Sequence, residues 1–355
     1  MTDAPRPLIL IQGLTATGKS GLAELIAKLA INNKLFQGVV LVGADSRQVY
    51  QGLEILSGAD LPQKAHTCLP VNSDLVVEET VKINTGQYRY FLHPQLPLEY
   101  HGLSIISPDQ SWSVAHFLNF AYPVIEQAWL RGYLAIVVGG TGFYHHQLLH
   151  PQATLSIKPN LVLRQQAENQ SLSDLQKWLT KLNPAKFNSM NYSDQNNPRR
   201  LIRAIEIETK FSSRSKSQTN NSREGIFQPN KYFQPSKILK IAPTFDLLQL
   251  PLLISKRVND RFKLGVIDEI KALLKNESLS PLVTSATGFS PLKEYLRDQL
   301  SLTNATQIWI NQELRYAKRQ ATWLKKYPPQ QWLELKNPDH LTEMVESLLF
   351  KLVSN

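Results

Sequence analysis

The sequence predicts an α/β protein, a parallel sheet core flanked by helices and interrupted by a mainly helical insertion. Three observations predict it. Short apolar runs at residues 8–11, 39–42 and 134–138 alternate with helix-patterned stretches, the order that builds parallel sheets. A glycine-rich loop stands between the first run and the helical stretch after it. A polar, helix-patterned block at 161–182 then separates these runs from a later one at 239–242.

Residues 8–11 read as a short buried strand, and residues 20–30 as a helix with Leu22, Leu25, Ile26 and Leu29 at helical spacing. The strand at 39–42 leads to Asp45, and the strand at 134–138 runs into Gly139 and Gly140. Ligands of parallel sheets bind beyond the carboxyl ends of the strands, so these three loops are expected at one edge. Residues 211–236 are rich in Ser, Asn, Gln and Lys without a period and read as a mobile polar linker. Residues 254–274 and 305–326 read as helices. The expected division is a catalytic core at 1–153, a helical insertion ending in the linker at 154–236, and the rest of the core with basic helices at 237–355.

The chain of 355 residues can bury a substantial core. Its one cysteine, Cys68, excludes an intramolecular disulfide and fits a reducing, cytoplasmic setting. The first apolar run is too short for a signal-peptide core, and no stretch nears the roughly 20 apolar residues of a membrane span. A soluble protein without a membrane partner is expected. Lys plus Arg number 39 against 29 Asp plus Glu, a formal charge of +10, which attracts polyanions such as nucleic acid.

Gly13, Leu14, Thr15, Ala16, Thr17, Gly18, Lys19 and Ser20 match G-x-x-x-x-G-K-[ST] in full, between a strand and a helix. Such a loop converges backbone N–H groups on phosphate oxygens, adds the partial charge of a helix amino end, and supplies a full charge from Lys19. Ser20 is placed to ligate Mg2+. The motif specifies a diphosphate or triphosphate without saying which molecule carries it. A nucleotide hydrolase also needs a strand-end carboxylate, yet residues 139–142 are Gly-Gly-Thr-Gly. Asp45 is the acidic residue at a strand end. It suits a metal-organising carboxylate in a kinase, a general base in a transferase, or a helix cap.

Together with the phosphate loop, Asp45-Ser46-Arg47-Gln48-Val49-Tyr50 and Val137-Val138-Gly139-Gly140-Thr141-Gly142-Phe143-Tyr144 resemble the tRNA dimethylallyltransferase family. So do Asn197-Pro198-Arg199-Arg200-Leu201-Ile202-Arg203, Arg257-Val258-Asn259-Asp260-Arg261-Phe262 and Tyr316-Ala317-Lys318-Arg319-Gln320-Ala321-Thr322-Trp323-Leu324, in family order. The resemblance implies a P-loop NTPase-like core that transfers a dimethylallyl group from dimethylallyl diphosphate to N6 of the adenosine after the anticodon of tRNA. It implies Mg2+ as cofactor, the anticodon stem-loop as partner, and a monomer.

Carried over residue by residue, the resemblance makes Asp45 the acceptor of the amine proton and gives Thr141 a hydrogen bond to the bridging oxygen of the leaving group. Lys19, Ser20 with Mg2+, Arg261 and Arg164 would stabilise the departing diphosphate. The tRNA-facing residues would be Ser46, Arg47, Gln48, Arg199, Arg200, Arg203, Lys318, Arg319, Gln320, Trp323 and Lys325, with 286–290 as a further contacting stretch. On the last basic helix, Ile310, Leu314, Ala317, Ala321 and Leu324 form an expected packing stripe, and Arg315, Arg319, Thr322 and Lys326 a stripe free to face phosphate. Phe289 and Trp323 offer rings for base stacking or for the core.

Ala286-Thr287-Gly288-Phe289-Ser290 departs from the family's Ala-Ile-Gly-Tyr and following basic residue, which leaves a phosphate contact there without its basic group. The segments 58–100 and 211–236 are enlarged and carry no assigned role. The competing readings are an adenylate isopentenyltransferase acting on free nucleotide, a P-loop small-molecule kinase, and an RNA-binding protein without catalysis.

Overall fold

A computed structural model describes residues 5–59, 66–68, 88–215 and 233–354. Among these residues the strands are β1 (Pro7–Ile11), β2 (Gly38–Gly43), β3 (His66–Cys68), β4 (Tyr90–Leu92), β5 (Leu98–His101), β6 (Tyr133–Val138), β7 (Lys237–Pro243) and β8 (Gln331–Leu333). They form one sheet in the order β3-β4-β5-β2-β6-β1-β7-β8. The pairs from β5 through β8 are parallel, and β3 and β4 add an antiparallel edge.

Every residue of β1 and β2 is buried, because helices cover both faces of a parallel sheet. Ile9, Ile11, Val39, Leu41, Leu134 and Ile136 pack under the helices Lys19–Asn32 and Pro338–Val353, through Leu22, Ile26, Val345 and Leu349 among others. The helix Val114–Leu130 packs against β2 and β6. Val138 is in register with both Ile11 and Gly43. The phosphate loop, Asp45 and Gly139 therefore leave the sheet at the same edge, as expected from strand order.

The chain divides into two compact units, Met1–His150 with Pro229–Asn355, and Pro151–Gln228. The second unit is helical. Leu163, Ala167, Leu175, Leu179, Leu201, Ala204 and Ile205 form its core. The block at 161–182 is two helices, Leu161–Glu168 and Leu172–Leu182, because the Ser171 hydroxyl caps a new helix by accepting from Asp174 N–H.

Two sequence expectations are corrected. The helix Pro198–Ser215 extends into the segment read as linker, since no Gly or Pro stops it over that length; residues 216–232 of that segment lie outside the described residues. The helix expected at 254–274 is two, Leu250–Lys263 and Val266–Leu273, because Gly265 takes a left-handed φ of 94° between them. Among the described residues no helix is long and apolar enough to cross a membrane.

Candidate active site

A cleft of about 810 Å³ opens over the carboxyl edge of β1, β2 and β6. Its floor is the phosphate loop, with Thr15, Ala16, Thr17, Gly18, Lys19 and Ser20 all lining it. Asp45, Ser46, Arg47 and Gln48 line it from the end of β2, and Gly139 and Gly140 from the end of β6. Arg257 and Arg261 enter from the helix Leu250–Lys263, and Glu313, Tyr316, Arg319 and Gln320 from the helix Leu302–Lys326.

The loop is held from both sides. Inside it, the Leu14 carbonyl accepts from Lys19 Nζ and from Thr17 Oγ1, the latter at 2.8 Å. Ala16 sits at φ 62°, a left-handed conformation that costs a non-glycine residue about 1–2 kcal/mol and is tolerated where the surroundings enforce it. From outside, Thr15 N–H donates to Gln320 Oε1 at 2.7 Å, and Gln320 Nε2 donates to the Gly140 carbonyl at 3.0 Å. Gln320 thus ties the phosphate loop to the Gly-rich turn.

Asp45 follows β2 directly. Its carboxylate accepts from Arg47 N–H at 2.9 Å, so it caps the next turn as well as facing the cleft. Burial pushes its pKa above the ordinary Asp value, opposed by the Arg47 N–H and by the charges of Arg47 and Lys19. A carboxylate tuned upward in a cleft is the condition for a general base. Thr141 stands beside it. Thr141 N–H donates to the Ala44 carbonyl at 3.1 Å, and its hydroxyl accepts from Ser46 N–H at 3.3 Å.

Gly139 allows this approach of β6 to β2. A Cβ there would lie 2.2 Å from the Ala44 carbonyl oxygen, a backbone atom that cannot step aside. Gly139→Ala is expected to cost about 1–3 kcal/mol, as overpacking does, and to shift the Asp45 strand end. Urea denaturation checks this, and an unchanged midpoint would show that the backbone relaxes freely. Buried His145 supports the same turn through Nε2 on the Gly139 carbonyl at 3.2 Å, and burial lowers its pKa to about 4, so the ring is neutral.

Arg261 is 4% exposed and pairs with Glu313 at 3.0 Å; Arg257 Nη1 donates to Thr15 Oγ1 at 3.1 Å. Sequence reasoning missed Glu313, Arg257, Tyr316 and His145. Arg257 opens the second of the three basic blocks, and its spacing of four from Arg261 was the available signal.

On the helix Leu302–Lys326 the buried residues are Ala305, Trp309, Glu313, Ala317, Gln320 and Leu324. The expected packing stripe is therefore corrected, because Glu313 and Gln320 find polar partners and take buried positions that an apolar pattern assigns elsewhere. Gln320, expected on the tRNA-facing side, is turned inward. Arg315, Lys318, Arg319, Thr322, Lys325 and Lys326 are exposed. Trp323 packs against Phe143, His146 and Tyr327. Phe289 is buried, which removes it as a stacking platform.

The remaining expected residues lie in the second unit. Glu206, buried, accepts from Arg164 Nε at 2.7 Å and from Arg203 Nη1 at 3.1 Å. Arg203 also donates to the carbonyls of Thr154 and Ile157, so it braces the insertion. Arg200 pairs with Asp194, and Arg199 is exposed. Among the described residues no cluster of three or more His, Cys, Asp or Glu is placed to hold a metal ion.

The sequence pattern of the IPP transferase family matches residues 93–327. The chain belongs to the IPP transferase family. A tRNA dimethylallyltransferase of Pelotomaculum thermopropionicum is 29% identical over 336 residues, covering 93% of this chain and 91% of that protein. The tRNA dimethylallyltransferase 1 of Azobacteroides pseudotrichonymphae is also 29% identical, covering 97% and 98%. Among solved structures, a tRNA delta(2)-isopentenylpyrophosphate transferase of Staphylococcus epidermidis is 25% identical with a TM-score of 0.57, covering 98% of both chains. A eukaryotic dimethylallyltransferase crystallised acting on tRNA shares the fold, with a TM-score of 0.63 at 20% identity over 93% of this chain and 74% of that one. The resemblance read from the motifs and the family membership agree.

Proposed function

We propose that this chain transfers a dimethylallyl group from dimethylallyl diphosphate to N6 of the adenosine 3′-adjacent to the anticodon in tRNA. The observation that carries the reading is one cleft in which a phosphate loop faces a strand-end Asp45, while the neighbouring strand ends in Gly139-Gly140-Thr141 without a carboxylate. That arrangement suits a leaving diphosphate better than a terminal phosphate attacked by water. The names borne by the relatives support tRNA as the acceptor.

In this reaction the N6 amine attacks the allylic carbon, the carbon–oxygen bond to diphosphate breaks, and Asp45 takes the amine proton. An exocyclic amine is a weak nucleophile, which is why a raised carboxylate at this point helps. Thr141, fixed by Ser46 N–H, addresses the bridging oxygen. Negative charge grows on the diphosphate, and Lys19, Arg257 and Arg261 line the cleft to receive it. The Ser20 hydroxyl lines the same cleft and would help to hold a Mg2+ ion brought with the diphosphate. Bound there, Mg2+ would neutralise charge on the leaving group.

The adenine must leave its stack to reach Asp45, and an unpaired anticodon loop makes that cheap. The exposed Lys318, Arg319 and Lys325 give the long helix a phosphate-facing side. Replacing all three by Ala is expected to make the slope of log affinity for tRNA against log salt shallower by about 2, at roughly 0.7 for each phosphate of single-stranded RNA no longer neutralised. An unchanged slope would place the tRNA elsewhere. The function itself is tested with dimethylallyl diphosphate labelled in the alkyl chain. Label is expected on the adenine of an anticodon stem-loop; efficient transfer to AMP with none to the stem-loop would favour the free-nucleotide enzyme, and no transfer to adenine would overturn the reading.

A further inference from the structure

The buried carboxylate of Glu313 lies outside every sequence motif of the family resemblance, yet it joins four separate segments of the chain. Its Oε1 accepts from Arg261 Nη1 at 3.0 Å and from Thr287 Oγ1 at 2.7 Å, and its Oε2 accepts from Thr15 Oγ1 at 3.3 Å. The Thr15 oxygen in turn accepts from Arg257 Nη1 at 3.1 Å. Glu313 is 4% exposed and lines the cleft.

Burying a carboxylate is costly unless it is paired and hydrogen-bonded. Here the partners are a phosphate-loop residue and an arginine from another helix. The loop and the arginine must converge on the same diphosphate if the proposed reaction is to run. A fixed anion between them sets that distance. It also orients the Arg261 guanidinium, whose planar fork binds through defined directions. Without the carboxylate, two guanidiniums only four residues apart in sequence would repel one another beside the loop.

Resting on the prenyl-transfer reading, we propose that Glu313 is a positioning residue: it holds Arg261 and the phosphate-loop residue Thr15 at the spacing that a leaving diphosphate requires. It touches neither reacting atom. Its effect is felt on the diphosphate side of the reaction and not on tRNA.

The test uses the full chain, with inorganic pyrophosphate as probe in titration calorimetry and steady-state kinetics alongside. Glu313→Gln keeps the shape and an acceptor oxygen but loses the charge. It is expected to weaken pyrophosphate binding and raise KM for dimethylallyl diphosphate by about tenfold, the scale of one charge-assisted hydrogen bond, while KM for tRNA stays within about twofold. Arg261→Gln combined with Glu313→Gln is expected to bind pyrophosphate no more weakly than Arg261→Gln alone, because the two act through one another. Thr287→Val, which deletes one donor to the carboxylate, is expected to shift binding in the same direction by about threefold and carries the test should Glu313→Gln fail to fold.

Wild-type pyrophosphate affinity in folded Glu313→Gln, fully additive losses in the double variant, or an equal rise in KM for tRNA would each overturn the proposal. Calorimetry with pyrophosphate needs no turnover. A wild-type chain that binds pyrophosphate but moves no label to adenine would therefore sink the prenyl-transfer reading separately.

Discussion

Asp45→Asn is expected to lower kcat for prenyl transfer by about 100- to 10,000-fold, the range for loss of a general base, while tRNA affinity and folding stay close to wild type. The asparagine oxygen can still accept from Arg47 N–H, so the turn cap that Asp45 provides is kept. Only the proton acceptor is removed. The pH profile gives a second check. Because burial holds the Asp45 pKa above its ordinary value, the reactive carboxylate form is present above that raised pKa and disappears as pH falls through it. The wild-type kcat should therefore drop on the acid side at a pH above the usual Asp range, and the residual activity of Asp45→Asn should lack that limb. Turnover of the variant within tenfold of wild type would remove Asp45 from the chemistry and leave it as a cap.

Arg261→Ala is expected to be the most destabilising single change in the cleft. Both partners of the Arg261–Glu313 pair have side chains about 5% exposed. Burial works to raise the Glu313 pKa, but the charges of Arg261 and Arg257 and the Thr287 hydrogen bond hold it below the ordinary Glu value. Removing Arg261 leaves that carboxylate in the interior without its main counter-charge, a change that costs about 3–5 kcal/mol. The Arg261 guanidinium also lies 5.5 Å over the Trp309 ring, and the alanine variant gives up this cation–π attraction as well. Equilibrium urea unfolding measures the destabilisation. Arg261→Met with Glu313→Leu, which removes both charges and keeps the volume, should recover most of it, as apolar replacement of buried pairs often does. A cost under about 1 kcal/mol for Arg261→Ala would mean that water reaches the pair.

The two predictions separate chemistry from architecture. Replacing Asp45 is expected to spare folding and lower turnover, whereas replacing Arg261 or Glu313 is expected to disturb both through one buried network. The helix Leu302–Lys326 connects them, since Tyr316 lines the cleft with Asp45 and Gln320 reaches both Thr15 and Gly140.

The phosphate loop, the strand ends at Asp45 and Gly139, and the parallel order of the sheet were legible in the sequence by itself. Each is written in contiguous residues. A loop between a strand and a helix needs its glycines and lysine at fixed spacing, and a strand buried on both faces must be apolar throughout. Local rules failed where long-range partners decided the outcome. Glu313 and Gln320 look like solvent-facing positions in the helical pattern, yet both are buried, because Arg261 lies 52 residues away and Thr15 about 300. Thr287 reads in sequence as part of a phosphate-contacting stretch without its basic group, and the fold gives its hydroxyl to Glu313. Arg203 reads as an RNA contact, and its side chain is engaged by Glu206 and two backbone carbonyls of its own unit. A polar side chain takes its role from the groups that meet it in space. The sequence thus determined which loop and strand ends gather at the edge of a parallel sheet, and only the tertiary structure decided which of its charges hold one another.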